Sequence, residues 1–120
     1  MTHNFLKQKG ELELHIREFQ NLMRRLYFNR DKARGSTGTY EWLTDEVAEL
    51  GEALEAHDTK GIEEEFADVI AWLSSLANVV DVDLEKAALT KYNDRCPKCG
   101  RSPCECAFKE RKQAASAQGR

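Results

Sequence analysis

Acidic residues recur at helical spacing in two neighbouring stretches of the chain. The first stretch is "TDEVAELGEAL", residues 44–54, and the second is "EEEFADVIAW", residues 63–72. Residues three apart lie on the same face of a helix, so Glu46 points with Glu49, and Glu65 points with Asp68. Both pairs also lie beside large apolar residues. These carboxylates either form a solvated helix surface or gather around a cation.

The short segment between the stretches determines whether the two pairs can meet. "HDTKG", residues 57–61, has the composition of a turn, and a turn of this length makes the flanking helices antiparallel neighbours. Four carboxylates facing one groove would repel each other, and several would be protonated unless a cation lay among them. Oxygen ligands in this number favour Mg²⁺ or Mn²⁺ over Zn²⁺.

A second group of metal-ligand residues is the set of four cysteines in "CPKCGRSPCEC", residues 96–106. A C-x-x-C turn followed by Gly directs two sulfurs at one tetrahedral ion, and the sulfurs of the following C-x-C can reach the same ion. A disulfide framework would spread its cysteines along the chain. The spacing predicts a structural Zn²⁺ site; reduced thiols in a flexible tail and an iron–sulfur site are the alternatives. The predicted zinc ligands are Cys96, Cys99, Cys104 and Cys106.

Apolar periodicity predicts that helices carry the acidic residues. A first helix over residues 11–29 has the apolar stripe Leu12, Ile16, Phe19, Met23 and Leu26. The basic stretch 30–39 contains two glycines and is predicted to be a loop.

Three further helices are predicted over residues 40–57, 61–80 and 84–95. Asp58 or Thr59 is expected to cap the third helix, and Asp83 the fourth. Tyr40, Val47, Leu54, Phe66 and Leu73 are among the residues expected to face the core. The predicted fold is all-α and resembles a four-helix bundle, followed by a short C-terminal zinc knuckle.

The bulk properties limit the possible classes of protein. The chain has 120 residues, which suits one folded domain, and no apolar run approaches the roughly 20 residues needed to span a membrane. Residues 40–85 hold fourteen acids against one base, Lys60, so this middle region needs a compensating cation or a fold that spreads the charge. The N-terminal sequence does not resemble a signal peptide, and a cytoplasmic location is expected.

The expected organisation is a helical catalytic domain over residues 1–95, a zinc knuckle over 96–108 and a mobile polar tail over 109–120. The first and third predicted helices carry apolar stripes wide enough to need a partner.

"DEVAEL" followed by "EFADV" resembles the E-E-x-x-E … E-x-x-D signature of the MazG-like all-α nucleotide pyrophosphohydrolases. The similarity extends over roughly Ile16 to Arg95, with one departure: Asp45 stands where the signature usually begins with Glu. The resemblance implies an enzyme that cleaves a nucleoside triphosphate to the monophosphate and pyrophosphate, and an assembly of two or four copies. It also implies Mg²⁺ ligands at Glu46, Glu49, Glu65 and Asp68.

A triphosphate substrate also needs positive charge opposite the metal. The resemblance places basic residues on the last helix, where Lys91 and Arg95 are four apart, and Asn93 can reach base or sugar. The basic stretch adds Arg30, Lys32 and Arg34. Trp42 and Trp72, each four residues from a predicted ligand, either stack on a base or pack in the core. Ordinary surface charge is the alternative reading of the basic residues.

Three functions compete at this stage. The first is a Mg²⁺-dependent nucleotide pyrophosphohydrolase that removes non-standard nucleotides. The second is a binding module without catalysis, whose zinc knuckle and basic tail contact nucleic acid or protein. The third is a purely structural helical dimer. We favour the enzyme, with a nucleoside triphosphate as its substrate; neither a nucleic acid nor a membrane is expected as a partner.

Overall fold

Helices dominate the computed structural model, which describes residues 14–108. The helices are α1 (Ile16–Glu55), α2 (Thr59–Val79) and α3 (Leu84–Lys91), and residues 14–108 contain no strand. α1 and α2 form an antiparallel hairpin, because Gln20 near the start of α1 bonds Asn78 near the end of α2, while Trp42 stacks on Trp72 further along. The all-α prediction is confirmed. Leu12 and the tail 109–120 lie outside the described residues.

The predicted loop over residues 30–39 is wrong, because α1 continues through it. Gly35 alone leaves helical geometry, with φ 87° and ψ 172°, and this kink divides α1 into two helical arms. An ion pair of 2.9 Å joins Arg34 Nη1 to Asp31 Oδ1 before the kink, and Arg34 also donates to Thr39 Oγ1 at 3.3 Å beyond it. Polar side chains therefore connect the two arms of the helix across position 35, where the backbone has a conformation that glycine adopts far more readily than other residues.

The N-terminal caps of α2 and α3 follow the sequence prediction. Asp58 accepts a hydrogen bond of 3.1 Å from the backbone of Gly61, and Asp83 accepts one of 3.1 Å from Lys86. Each carboxylate satisfies a backbone N–H that has no partner within the first helical turn.

A buried network of hydrogen bonds around Gln20 connects the start of α1 to the end of α2 and the start of α3. The Gln20 side-chain amide donates to Asn78 Oδ1 at 3.0 Å and to the carbonyl of Val82 at 2.7 Å, and its own oxygen accepts from the backbone of Leu84 at 2.9 Å. Arg17 contacts Asp83 at 3.0 Å nearby. These bonds fix the start of α3 against α1, because buried amides must be paired.

Several residues predicted to form the core are instead exposed in the single chain. Phe66 is 58% exposed and Tyr40 56%, whereas Met23 and Ala77 are the buried apolar side chains among the described residues. Two long helices packed as a hairpin have one shared seam, so apolar side chains away from that seam stay uncovered. Three further predicted core residues, Val47, Leu54 and Leu73, are also exposed, as is the neighbouring Ile70.

The chain divides into two compact units, residues 1–87 and 88–120. α3 ends at Lys91, so the predicted helix to Arg95 is too long, and Lys91 and Arg95 do not share a helix face. Asp94 has φ 68°, which turns the backbone out of the helical direction. Of the described helices, none combines the length and the apolar content that a membrane span requires.

Candidate active site

Three of the four predicted acidic ligands lie close together where α1 faces α2. Carboxylate oxygens of Glu46, Glu49 and Glu65 all lie within 4.8 Å of one another. Glu46 and Glu49 lie one helical turn apart on α1, and Glu65 comes from α2 across the hairpin. Glu46 is buried, with 8% of its surface exposed, whereas Glu49 is open to solvent. The arrangement is therefore a half-enclosed acidic cluster.

The surroundings of Glu46 oppose its negative charge. Its pKa is raised from 4.5 to about 7, first by burial and then by the adjacent carboxyl of Glu65 and the charges of Glu49 and Asp68. No positively charged group contributes to this shift. Acids whose pKa is raised to near 7 in this way are common at functional sites, where a bound cation or substrate supplies the missing positive charge.

Two buried oxygens of the acidic cluster lack hydrogen-bond partners. Glu46 Oε1 and Glu65 Oε1 are both inaccessible to water, and while both carboxyls are ionised the described residues offer neither oxygen a donor. Leaving a buried acceptor unpaired costs roughly 1–3 kcal/mol. A hard divalent cation would supply what both atoms lack, and carboxylate oxygens are the ligands such a cation prefers. The residues present therefore fit a divalent cation.

Asp68, the fourth predicted ligand, lies outside this close group. It is exposed on α2, one turn after Glu65, and its charge still raises the pKa of Glu46. Asp68 also lines a cavity of about 360 Å³ between the two helices. Asp68 therefore lies between the acidic cluster and this cavity.

The remaining cavity wall combines aromatic and basic side chains. Tyr27, Arg30, Arg34 and Trp72 all line it. The guanidinium of Arg34 lies 4.8 Å from the centre of the Trp72 ring, whose other neighbour is Trp42, stacked at 5.3 Å with the planes 6° apart. Such a wall can receive both a planar ring and an anionic group.

Asp31 is a site residue that sequence reasoning missed. Only 2% of its surface is exposed, and it lines the same cavity while paired with Arg34. The only signal in the sequence is weak: an acid stands three residues before an arginine, inside a stretch whose two glycines predicted a loop. Arg34 is consequently held by an acid on its own helix, whereas Arg30 carries no such partner among the described ion pairs.

Three of the predicted substrate ligands fall in the second unit. Lys91 is the last residue of α3, with its Nζ 5.8 Å from the centre of the Tyr92 ring, and Asn93 and Arg95 follow beyond the helix. All three side chains are exposed. Their roles toward a substrate stay predictions.

The cysteine cluster is the second group in the described residues that can hold a metal. One sulfur from each of Cys96, Cys99, Cys104 and Cys106 lies within 4.8 Å of the others, and all four are unbridged. Backbone N–H groups of Cys99 and Lys98 lower the pKa of Cys96 to about 6.

Comparisons with known proteins identify the family of the chain. The chain matches no curated protein. A family model described as the MazG nucleotide pyrophosphohydrolase domain matches residues 34–100, starting later than the resemblance suggested and including all four predicted acidic ligands. The match covers more than half of the chain, and the chain therefore belongs to the MazG nucleotide pyrophosphohydrolase family.

Proposed function

We propose that the protein is a divalent-cation-dependent hydrolase that cleaves nucleoside or deoxynucleoside triphosphates to the monophosphate and pyrophosphate. Membership of the MazG family supports the reaction class. The observation that carries the proposal is the acidic cluster, in which two buried carboxylate oxygens lack partners and the pKa of Glu46 is near 7. A solvated helix face would contain neither feature.

The proposed ligands of Mg²⁺, or of Mn²⁺, are Glu46, Glu49, Glu65 and Asp68. When bound, the ion neutralises charge on the phosphates and lowers the pKa of a coordinated water. Glu46 must release its proton to serve as a ligand, and its position on the buried side anchors the cluster. Glu49 is the solvent-facing member of the close group of three, and we assign it to orient the attacking water and accept its proton.

The reaction breaks the phosphoanhydride bond between the α- and β-phosphates. The water oxygen adds to phosphorus, and pyrophosphate leaves with the electrons of the broken bond. Arg30 and Arg34 in the cavity wall can balance phosphate charge. Trp72 already has Arg34 and Trp42 as neighbours, so the ring that can stack on a base is Trp42, which is 50% exposed. Lys91, Asn93 and Arg95 belong to the proposal as further substrate ligands. Removal of non-standard nucleotides from the cytoplasm is the proposed role.

We also propose that the working form is a homo-oligomer of two or four copies. The support is the large exposed apolar surface on both long helices, which a second copy of the chain would cover.

The test is pyrophosphate release from a panel of common and damaged triphosphates, with and without Mg²⁺. Glu49→Gln keeps the size of the side chain but removes its charge, and we expect it to lower turnover by about 10²–10³-fold. Glu52→Gln is the matched control, because Glu52 is an exposed acid on α1 outside the acidic cluster. Equal turnover by wild type and Glu49→Gln would defeat the assignment.

A further inference from the structure

The described part of the C-terminal unit, residues 88–108, has no apolar core that would hold it in one conformation. Between residues 88 and 108, all of which the structure describes, no side chain is buried, and Phe108 is 88% exposed. Hydrophobic burial is the main favourable term in folding, and units this small usually need a metal or disulfides. The conformation of residues 96–106 therefore requires another source of stability.

The distances between the cysteine sulfurs match those around a bound metal ion. The distance from Cys96 Sγ to Cys106 Sγ is 3.8 Å, and from Cys99 Sγ to Cys104 Sγ it is 3.9 Å. A tetrahedral zinc ion with Zn–S bonds of about 2.3 Å separates its sulfurs by about 3.8 Å. We propose that Cys96, Cys99, Cys104 and Cys106 bind one Zn²⁺ ion, which folds residues 96–106 around it.

The backbone holds the first two sulfurs in a tight turn. Gly100 donates to the carbonyl of Cys96 at 2.8 Å, and Lys98 donates to Cys96 Sγ at 3.4 Å. Gly100 has φ 75°, a conformation that favours glycine. The turn directs the sulfurs of Cys96 and Cys99 to one side, as a shared ion requires.

Further hydrogen bonds connect the two halves of the motif. The backbone N–H of Glu105 donates to Cys99 Sγ at 3.3 Å, and that of Cys106 donates to Cys104 Sγ at 3.3 Å. Donors pointed at sulfur favour the thiolate, which is the form that binds metal. Cys96, Cys99 and Cys104 each accept such a bond, whereas Cys106 accepts none from the backbone of the described residues.

Four thiolates occupy all four coordination positions of a tetrahedral zinc ion, so the proposed site is structural and has no open position for catalysis. Soft sulfur ligands select zinc over magnesium, which separates this site chemically from the acidic cluster. The inference does not depend on the proposed function, since the cysteines take no part in that reaction.

The experiment measures metal in the purified full-length chain by elemental analysis and native mass spectrometry. One zinc ion per chain is expected, together with the visible absorption of tetrahedral thiolate coordination after replacement by Co²⁺. Cys99→Ser should lose the metal, and Ser102→Ala is the matched control in the same loop. Cys106→Ser should weaken binding less than Cys99→Ser, because its sulfur receives no backbone donor.

Iron in place of zinc at one ion per chain would overturn the proposal, and so would metal-free protein with four reactive thiols. Zinc content unchanged in Cys99→Ser would also overturn it. Far-ultraviolet circular dichroism of each variant checks that helices α1 and α2 persist, so that metal loss is not a result of global unfolding.

Discussion

Glu46 connects the chemistry of the site to the stability of the fold. The helix hairpin buries this carboxyl beside three others, and its pKa rises to about 7. In the metal-free protein this pKa favours the protonated acid, whereas a bound cation requires the ionised carboxylate, so a proton and a cation compete for Glu46. The adjacent oxygen of Glu65, which also lacks a partner, places a second acid under the same constraint. A cation at this position would provide a partner for the unpaired oxygens of both Glu46 and Glu65. Such a role would explain why the fold keeps these acids together although their burial is unfavourable in the metal-free protein.

The raised pKa of Glu46 predicts an unusual pH dependence for the metal-free protein. Between about pH 4.5 and 7, Glu46 keeps its proton in the folded state and loses it in the unfolded state. The folded state binds more protons there, so the free energy of unfolding falls as pH rises, by up to about 3 kcal/mol. Urea denaturation in EDTA across this range measures the slope.

Glu46→Gln should remove most of that slope, because the amide does not titrate. Glu55→Gln is the control, since Glu55 is an exposed acid at the end of α1. Added Mg²⁺ should raise the stability of wild type most above pH 7, where Glu46 is ionised. A wild-type stability that climbs steadily from pH 4.5 to 7 in EDTA would contradict this account.

Among the helices and turns, the features that were predicted correctly from the sequence are those set by interactions between residues close together in the chain. The hairpin, its turn and the caps Asp58 and Asp83 follow from apolar spacing and from short polar side chains that bond nearby backbone. These features involve residues three or four apart. The prediction that Glu46 and Glu65 would face each other needed only the antiparallel turn between them.

The stretch 30–39 was mispredicted because its structure depends on tertiary contacts. Two glycines indicated a loop, but the burial of Asp31 and Thr39 and the contacts of Arg34 keep helical geometry on both sides of Gly35. Intrinsic propensity is a weak prior that such contacts override. The end of α3 was mispredicted for a related reason, since the chain turns at Asp94 before the cysteine motif.

The kink predicts opposite effects for two glycines of α1. With φ 87° and ψ 172°, Gly35 occupies a region that side chains disfavour, so Gly35→Ala should destabilise the protein by about 1–3 kcal/mol. Gly51 is helical with open space around it, and Gly51→Ala should stabilise by about 0.5–1 kcal/mol. Chemical denaturation of both variants tests the pair; equal effects would mean that Gly35 is an ordinary helical residue.

The whole molecule presents two apolar stripes that its own fold leaves uncovered. Phe66, Ile70 and Leu73 lie on one face of α2, and Tyr40, Val47 and Leu54 recur every seven residues on α1. All of these residues except Ile70 were predicted from the sequence to be core, and the single chain exposes them. Both observations are met if the core is completed between chains. The stripes lie on the hairpin that also carries the acidic cluster.

We therefore expect the full chain to elute at a multiple of 13.7 kDa in size-exclusion chromatography with light scattering. Phe66→Asp places a charge in the stripe and should shift the protein towards the monomer, because burying an unpaired charge costs several kcal/mol. Leu89→Asp is the control: Leu89 is 61% exposed but lies on α3 and belongs to neither stripe. A wild-type monomer with the same mass as Phe66→Asp would mean that the stripes face solvent.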